Sequence, residues 1–169
     1  MSSTDELLAN NAAYAATFDQ GGLPSPPAKK IAVLACMDAR LNICRILGLG
    51  EGDAHVIRNA GGAVTDDAIR SLLISQRLLG TEEIVLVHHT DCGMVTFRDD
   101  DLKRRIEEET GLRPSFALEA FPDAAQDVRQ SIGRIRANPF IPRKDKIRGF
   151  VYDVETGKLE EVGDQQSAP

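Results

Sequence analysis

Three short strand-like runs, Ile31–Ala35 (IAVLA), Ala54–Arg58 (AHVIR) and Ile84–His88 (IVLVH), constrain the fold of this chain most, and the first and last are continuously apolar. Continuous apolar stretches of this length, bounded by turn residues, mark strands covered on both faces, which is how parallel sheets are built. Helical segments separate them. Arg40–Leu47 reads as a short helix stopped by the glycines at 48, 50 and 52. Thr65 caps a helix running to Leu79, with Asp66 and Asp67 in its first turn, where the helix dipole favours acids, and Gly80 stops it. Residues 98–110 form a charged, exposed helix, Pro122–Arg136 a further one with Pro in its first turn, Arg148–Val154 a fourth strand and Leu159–Val162 a short edge strand. The pattern predicts an α/β fold, a mainly parallel central sheet of about four strands plus an antiparallel edge strand, flanked by helices.

Residues 5–20 form an N-terminal helix, with Thr4 as its cap and a narrow stripe of Leu8, Ala12, Ala15 and Phe18 suited to a partner subunit. A Pro-rich linker, Leu23–Pro27, separates it from the rest. The organisation is thus an arm and linker over 1–27, one α/β domain over 28–163 and a loose tail over 164–169.

Each of the three runs ends in a polar motif: Cys36-Met37-Asp38-Ala39-Arg40, Arg58-Asn59-Ala60-Gly61-Gly62, and His89-Thr90-Asp91-Cys92. In open α/β sheets, sites form beyond the carboxyl ends of the strands. The three motifs therefore converge on one sheet edge. Cys36, His89 and Cys92 are two thiolates and an imidazole, a donor set for zinc, and three protein ligands leave a fourth position for water, as in catalytic sites. The competing reading makes both cysteines small buried hydrophobes, but it explains neither the flanking charges nor the shared edge. Neighbouring strand residues point to opposite faces, so one of His88 and His89 faces the metal; the two-residue spacing to Cys92 selects His89 and leaves His88 a packed or hydrogen-bonded role. Asp38 and Arg40, placed on one face of an extended segment, would pair so that Arg40 keeps Asp38 off the metal. Gly61 and Gly62 allow close backbone approach and are candidates for the substrate pocket. The flanking sequence lacks the spacing of a phosphate loop. His55 reads as a half-buried strand histidine, Cys44 as packing, and Asp91 as a residue that hydrogen-bonds the local backbone.

A net charge of −6 with no long basic run argues against nucleic acid and anionic membranes as partners. The acidic start, Met1 to Glu6, lacks the apolar core of a signal peptide, and three Cys fit thiols held reduced, so a cytoplasmic location is expected.

Taken in order and spacing, Cys-x-Asp-x-Arg, Arg-Asn-Ala-Gly-Gly and His-x-x-Cys-Gly resemble the β-class carbonic anhydrases, and Ala-Cys-Met-Asp-Ala-Arg with His-His-Thr-Asp-Cys-Gly-Met is most similar to their short actinobacterial-type branch. The resemblance implies one Zn2+ per chain on Cys36, His89 and Cys92, with Asp38 and Arg40 as a catalytic dyad switching the fourth position between carboxylate and water. It implies reversible hydration of carbon dioxide to bicarbonate and a proton by zinc-bound hydroxide, in a homodimer or homotetramer with the arm wrapped around its partner. Carbonyl sulfide hydrolysis on the same scaffold is the alternative, and a non-catalytic zinc protein closed by Asp38 a third reading. The chain has no Trp, so the Trp-based regulatory bicarbonate site of one subset of the family has no counterpart here.

Overall fold

The computed structural model describes residues 2–163; the tail expected over 164–169 lies outside the described residues. The elements are α1 (Ser3–Ala15), β1 (Ile31–Cys36), α2 (Ile43–Leu47), β2 (Ala54–Asn59), α3 (Asp66–Arg77), β3 (Glu83–His89), α4 (Asp99–Thr110), α5 (Ala124–Ala137), β4 (Ile147–Tyr152) and β5 (Leu159–Glu161). One sheet runs in the order β2-β1-β3-β4-β5. Its first three pairings are parallel and β4–β5 is antiparallel. This is the mainly parallel sheet with an antiparallel edge that the apolar runs predict.

The strand order matters for function. The chain passes from β1 to its neighbour β2 on one side, then crosses to β3 on the other. A crevice opens where successive crossovers diverge, here between the ends of β1 and β3. In register, Ala35 pairs with Val87, so Cys36 and His89 emerge at nearly the same height.

Alternation along the strands divides the core. Ala32, Leu34, Ile84 and Leu86 join Leu72 of α3 and Val128, Ile132 and Ile135 of α5. Val33, Ala35 and Val87 join Leu41, Ile43, Met94 and Phe121 on the other face, together with Cys36 and Cys92. The two cysteines are thus held by a packed core rather than by a surface loop. That rigidity lets a site be positioned before anything binds.

Several boundaries differ from the sequence expectation. The N-terminal helix is capped by Ser2, not Thr4, through a reciprocal pair with Asp5. Residues 40–42 are not helical: Leu41 N–H closes a turn onto the Asp38 carbonyl, and Asn42 caps the helix that follows. The last major helix begins at Ala124, because the Asp123 carboxylate accepts the Gln126 N–H as its cap, leaving Pro122 outside. None of the residues of α1 is buried in the single chain; Leu7, Leu8, Tyr14 and Phe18 stand exposed, and the Tyr14 hydroxyl donates to Glu51 at 2.6 Å.

Asp99 has a role that the charged pattern of α4 hides. Its carboxylate accepts the backbone N–H groups of Leu118, Glu119 and Ala120 at 2.8, 3.2 and 2.9 Å. These bonds tie down the segment leading to Phe121. Burial pushes the Asp99 carboxyl up, but the three N–H groups outweigh it and hold it below its ordinary value. A depressed folded pKa contributes stability that is present above the ordinary carboxylate range near ~4 and is lost as the pH falls through the folded value. Asp99→Ala should therefore cost about 1.5–3 kcal/mol near neutral pH, as for hydrogen bonds to a charged group. Urea denaturation of both proteins at pH 7 and in acid should show that difference narrowing; a pH-independent difference would remove the charge from the explanation.

Candidate metal centre

β1 delivers Cys36 at its last residue, and β3 delivers His89 at its last residue, with Cys92 three residues further into the following turn. The ligating atoms of all three lie within 4.8 Å of one another, and all three residues are buried. Tetrahedral zinc with Zn–S of ~2.3 Å and Zn–N of ~2.1 Å needs ligand atoms roughly 3.4–3.8 Å apart, so small side-chain movements close the set. The His89 ring tests the fit. Its Nδ1 lies 2.7 Å from the Thr90 carbonyl, which can only accept, so Nδ1 carries the proton. The lone pair is then on Nε2, which is buried with no hydrogen-bond partner among the described residues. A buried acceptor left unpaired costs free energy unless something occupies its direction, and a ligating histidine ring fixed through its other nitrogen is the usual support for a metal.

The thiols differ. Burial alone would raise Cys36, but the His89 ring when protonated and the N–H groups of Asp38 and Gly61 bring it down to about 7. Burial and the neighbouring Cys36 push Cys92 up to about 11. Binding a metal through both sulfurs would therefore release a proton from Cys92.

His88, one residue before His89, points the other way, into the α5 layer. Its Nε2 lies 2.7 Å from Asp127 Oδ2 of α5, in keeping with the alternation of a strand, and its ring also meets Phe121. His55 is half-buried on β2 and meets Ser75 Oγ at 2.8 Å. Cys44 is exposed rather than packed.

Asp38 and Arg40 do pair, though by a turn and not by extended alternation. Arg40 donates from Nε to Asp38 Oδ1 at 3.0 Å and from Nη2 to Oδ2 at 2.8 Å, and its backbone N–H reaches Oδ1 at 2.9 Å. Arg40 thereby holds the Asp38 carboxyl far below the usual carboxylate range. Asp38 Oδ2 stands 3.7 Å from His89 Nε2, beyond hydrogen-bond reach but within a side-chain rotation of the ligand set.

Two contributors were not assigned from sequence. Arg58 of β2 donates to the Cys36 carbonyl from Nε at 3.0 Å and Nη2 at 2.9 Å, and to the Asp38 carbonyl at 2.6 Å. It clamps the backbone between the first ligand and the dyad. Asp91, expected to serve only its local backbone, instead accepts from Arg40 Nη1 at 2.7 Å.

The two glycines separate in role. Gly61 lines a cavity of about 190 Å³ with Cys36, Met37, Asp38, Cys92 and Met94. A Cβ on Gly61 would stand 3.0 Å from Met94 Cγ and 3.1 Å from Phe121 Cε1. Gly62 is not among the cavity residues. It lies under β1, where a Cβ would meet the Cys36 nitrogen at 2.9 Å.

A family model described as carbonic anhydrase matches residues 31–159, which contain every residue of this centre. Over 162 residues the chain is 64% identical to beta-carbonic anhydrase 1 of Mycobacterium tuberculosis, covering 96% of this chain and 99% of that one. The chain belongs to the β-carbonic anhydrase family. A solved carbonic anhydrase from Streptococcus mutans shares its fold with a TM-score of 0.90 at 41% identity, covering 96% of this chain and 99% of that one. More distant is a carbon disulfide hydrolase of Acidithiobacillus thiooxidans, 36% identical over 160 residues and covering 83% of this chain and 79% of that protein. Among the described residues of this family member, no helix is long and apolar enough to cross a membrane.

Proposed function

We propose that this β-carbonic anhydrase family member hydrates carbon dioxide reversibly to bicarbonate and a proton, with one zinc on Cys36, His89 and Cys92. The observation that carries the reading is the buried, unpartnered Nε2 of His89 beside two buried thiols, next to a carboxylate that an arginine holds back. The 64% identity to a beta-carbonic anhydrase, against 36% to a carbon disulfide hydrolase, supports carbon dioxide over its sulfur analogues.

A zinc on these ligands supplies Lewis acidity that brings the pKa of water to ~7, so that hydroxide is available at neutral pH. The remaining work belongs to the chain. Asp38 has about four acceptor directions, of which Arg40 occupies three. The free direction, on Oδ2, accepts the hydrogen bond of the attacking hydroxide and aims its lone pair at the carbon. Gly61, Met37 and Met94 present a mostly apolar wall that holds a linear, unpolarised molecule without competing donors. Attack on the carbon forms bicarbonate, and the proton lost by the incoming water passes to buffer.

Arg40 leaves Asp38 free to orient the nucleophile rather than to occupy the ligand position. Arg40→Ala should retain zinc yet lose about 10- to 100-fold in rate, the range for a supporting group at a metal site. An unchanged rate across pH with zinc bound would dismiss that role.

The exposed apolar residues of α1 fit a reading in which the arm packs on a second copy, giving a homodimer or homotetramer. Three free cysteines among the described residues fit a cytoplasmic address. Stopped-flow carbon dioxide hydration at alkaline pH, on protein of measured zinc content, tests the activity. A fast rate that disappears with the metal supports it. No rate with zinc present, but turnover of carbonyl sulfide, would move the assignment to that substrate; neither would point to a site closed by Asp38.

A further inference from the structure

Arg40 is held from two sides. Beyond its bonds to Asp38, Nη1 donates to Asp91 Oδ2 at 2.7 Å and Nη2 to the Asp91 carbonyl at 2.9 Å. We propose that Asp91 is a positioning residue for the dyad, fixing the Arg40 fork so that Asp38 stays turned away from the fourth metal position. The inference rests on the proposed zinc centre and on Asp38 as its gate.

The donors are divided without contest. Nε serves Asp38 and Nη1 serves Asp91. Each of the two N–H bonds of Nη2 serves one of the two residues. Asp91 therefore takes no Arg40 donor away from Asp38, and its effect is to restrain the guanidinium. That restraint matters because Asp38 Oδ2 already stands 3.7 Å from His89 Nε2. The same tether reports on the ligands, since Asp91 lies between His89 and Cys92 in the chain. Its backbone is in the left-handed region, φ +53°, a conformation that non-glycine residues seldom adopt and that Asp and Asn tolerate best. This geometry turns both the carbonyl and the carboxylate of one residue toward a single guanidinium. The Asp91 side chain is 79% exposed, so the contact is a modest ion pair and its loss should loosen the gate, not destroy it.

The test uses the full chain loaded with cobalt in place of zinc, with azide as the probe for the fourth position, read from the visible absorption of the metal. A ligand that binds only the open form has an apparent affinity reduced by the fraction open. Asp91→Asn and Asp91→Gly both tolerate the left-handed backbone, and cobalt content is measured for each. Both should weaken apparent azide binding by about two- to fivefold, the range of an exposed ion pair. In an Asp38→Ala background the same substitutions should change nothing, because the gate is gone. Unaltered azide binding in both single variants overturns the proposal. So does a weakening that persists without Asp38, which would mean that Asp91 acts on the ligand loop instead. Arg40→Ala serves as the reference: if it too leaves azide binding unaltered, the gating role of Asp38 fails, and the proposal with it.

Discussion

His89→Ala and Cys36→Ser should each strip the protein of zinc and of carbon dioxide hydration together. Cys36→Ser keeps the side-chain volume and removes the soft donor; His89→Ala removes the one imidazole. With three protein ligands there is no spare, so loss of either leaves two. Zinc per chain after gel filtration should fall from about one to near zero, because structural and catalytic sites depend on every ligand. The hydration rate should drop by more than about 100-fold, the upper end for losing a group that only supports a ligand. Both residues are almost fully buried, so circular dichroism must accompany the assay: a folded, zinc-free, inactive protein is the expected outcome. A folded variant that keeps a full equivalent of zinc would remove that residue from the ligand set.

Gly62→Ala should be the most damaging single-methyl change near the centre. Gly62 has φ +70°, and a Cβ there would press on the backbone of β1, at the Cys36 nitrogen (2.9 Å) and the Ala35 carbonyl carbon (3.0 Å), and on that of β3 at the Val87 oxygen (3.3 Å). Backbone atoms in a central strand cannot rotate away as a side chain can. The left-handed conformation costs about 1–2 kcal/mol for alanine and overpacking about 1–3 kcal/mol, so roughly 2–5 kcal/mol is expected in urea denaturation. Gly80→Ala supplies the comparison. Gly80 has φ +73° but nothing within 4 Å of its Cβ position, so it should lose only the conformational part. Equal losses at the two sites would show that the close approach to Cys36 carries no weight. Because the strain at Gly62 falls on the ligand's own backbone, weakened zinc retention should accompany the lost stability.

Much of the architecture is legible in the sequence. IAVLA and IVLVH read as covered strands, which β1 and β3 are, whereas AHVIR forms the edge strand β2 with no residue buried; parallel strands separated by helices place whatever follows them on one edge. The common direction of parallel strands brings Cys36, His89 and Cys92 to that edge, and the period of a strand separates His89 from His88. Boundaries were less legible where one side-chain bond decides: Ser2 and Asp123 win as caps because their oxygens reach the right N–H, which composition alone does not rank. Asp99, in a run of three aspartates, looked like any solvated charge until its three backbone partners came from residues 118–120.

The sequence by itself determined the sheet, its covered strands and the chemical types gathered at its edge, because these follow from local periodicity and from the direction of parallel strands. The tertiary structure alone decided the second layer. Arg58 grips the carbonyls of Cys36 and Asp38 across twenty or more residues, and Asp91 holds Arg40 across fifty-one. Such bonds depend on distance in space and on which donors remain free, and neither quantity is written in the spacing of residues along the chain.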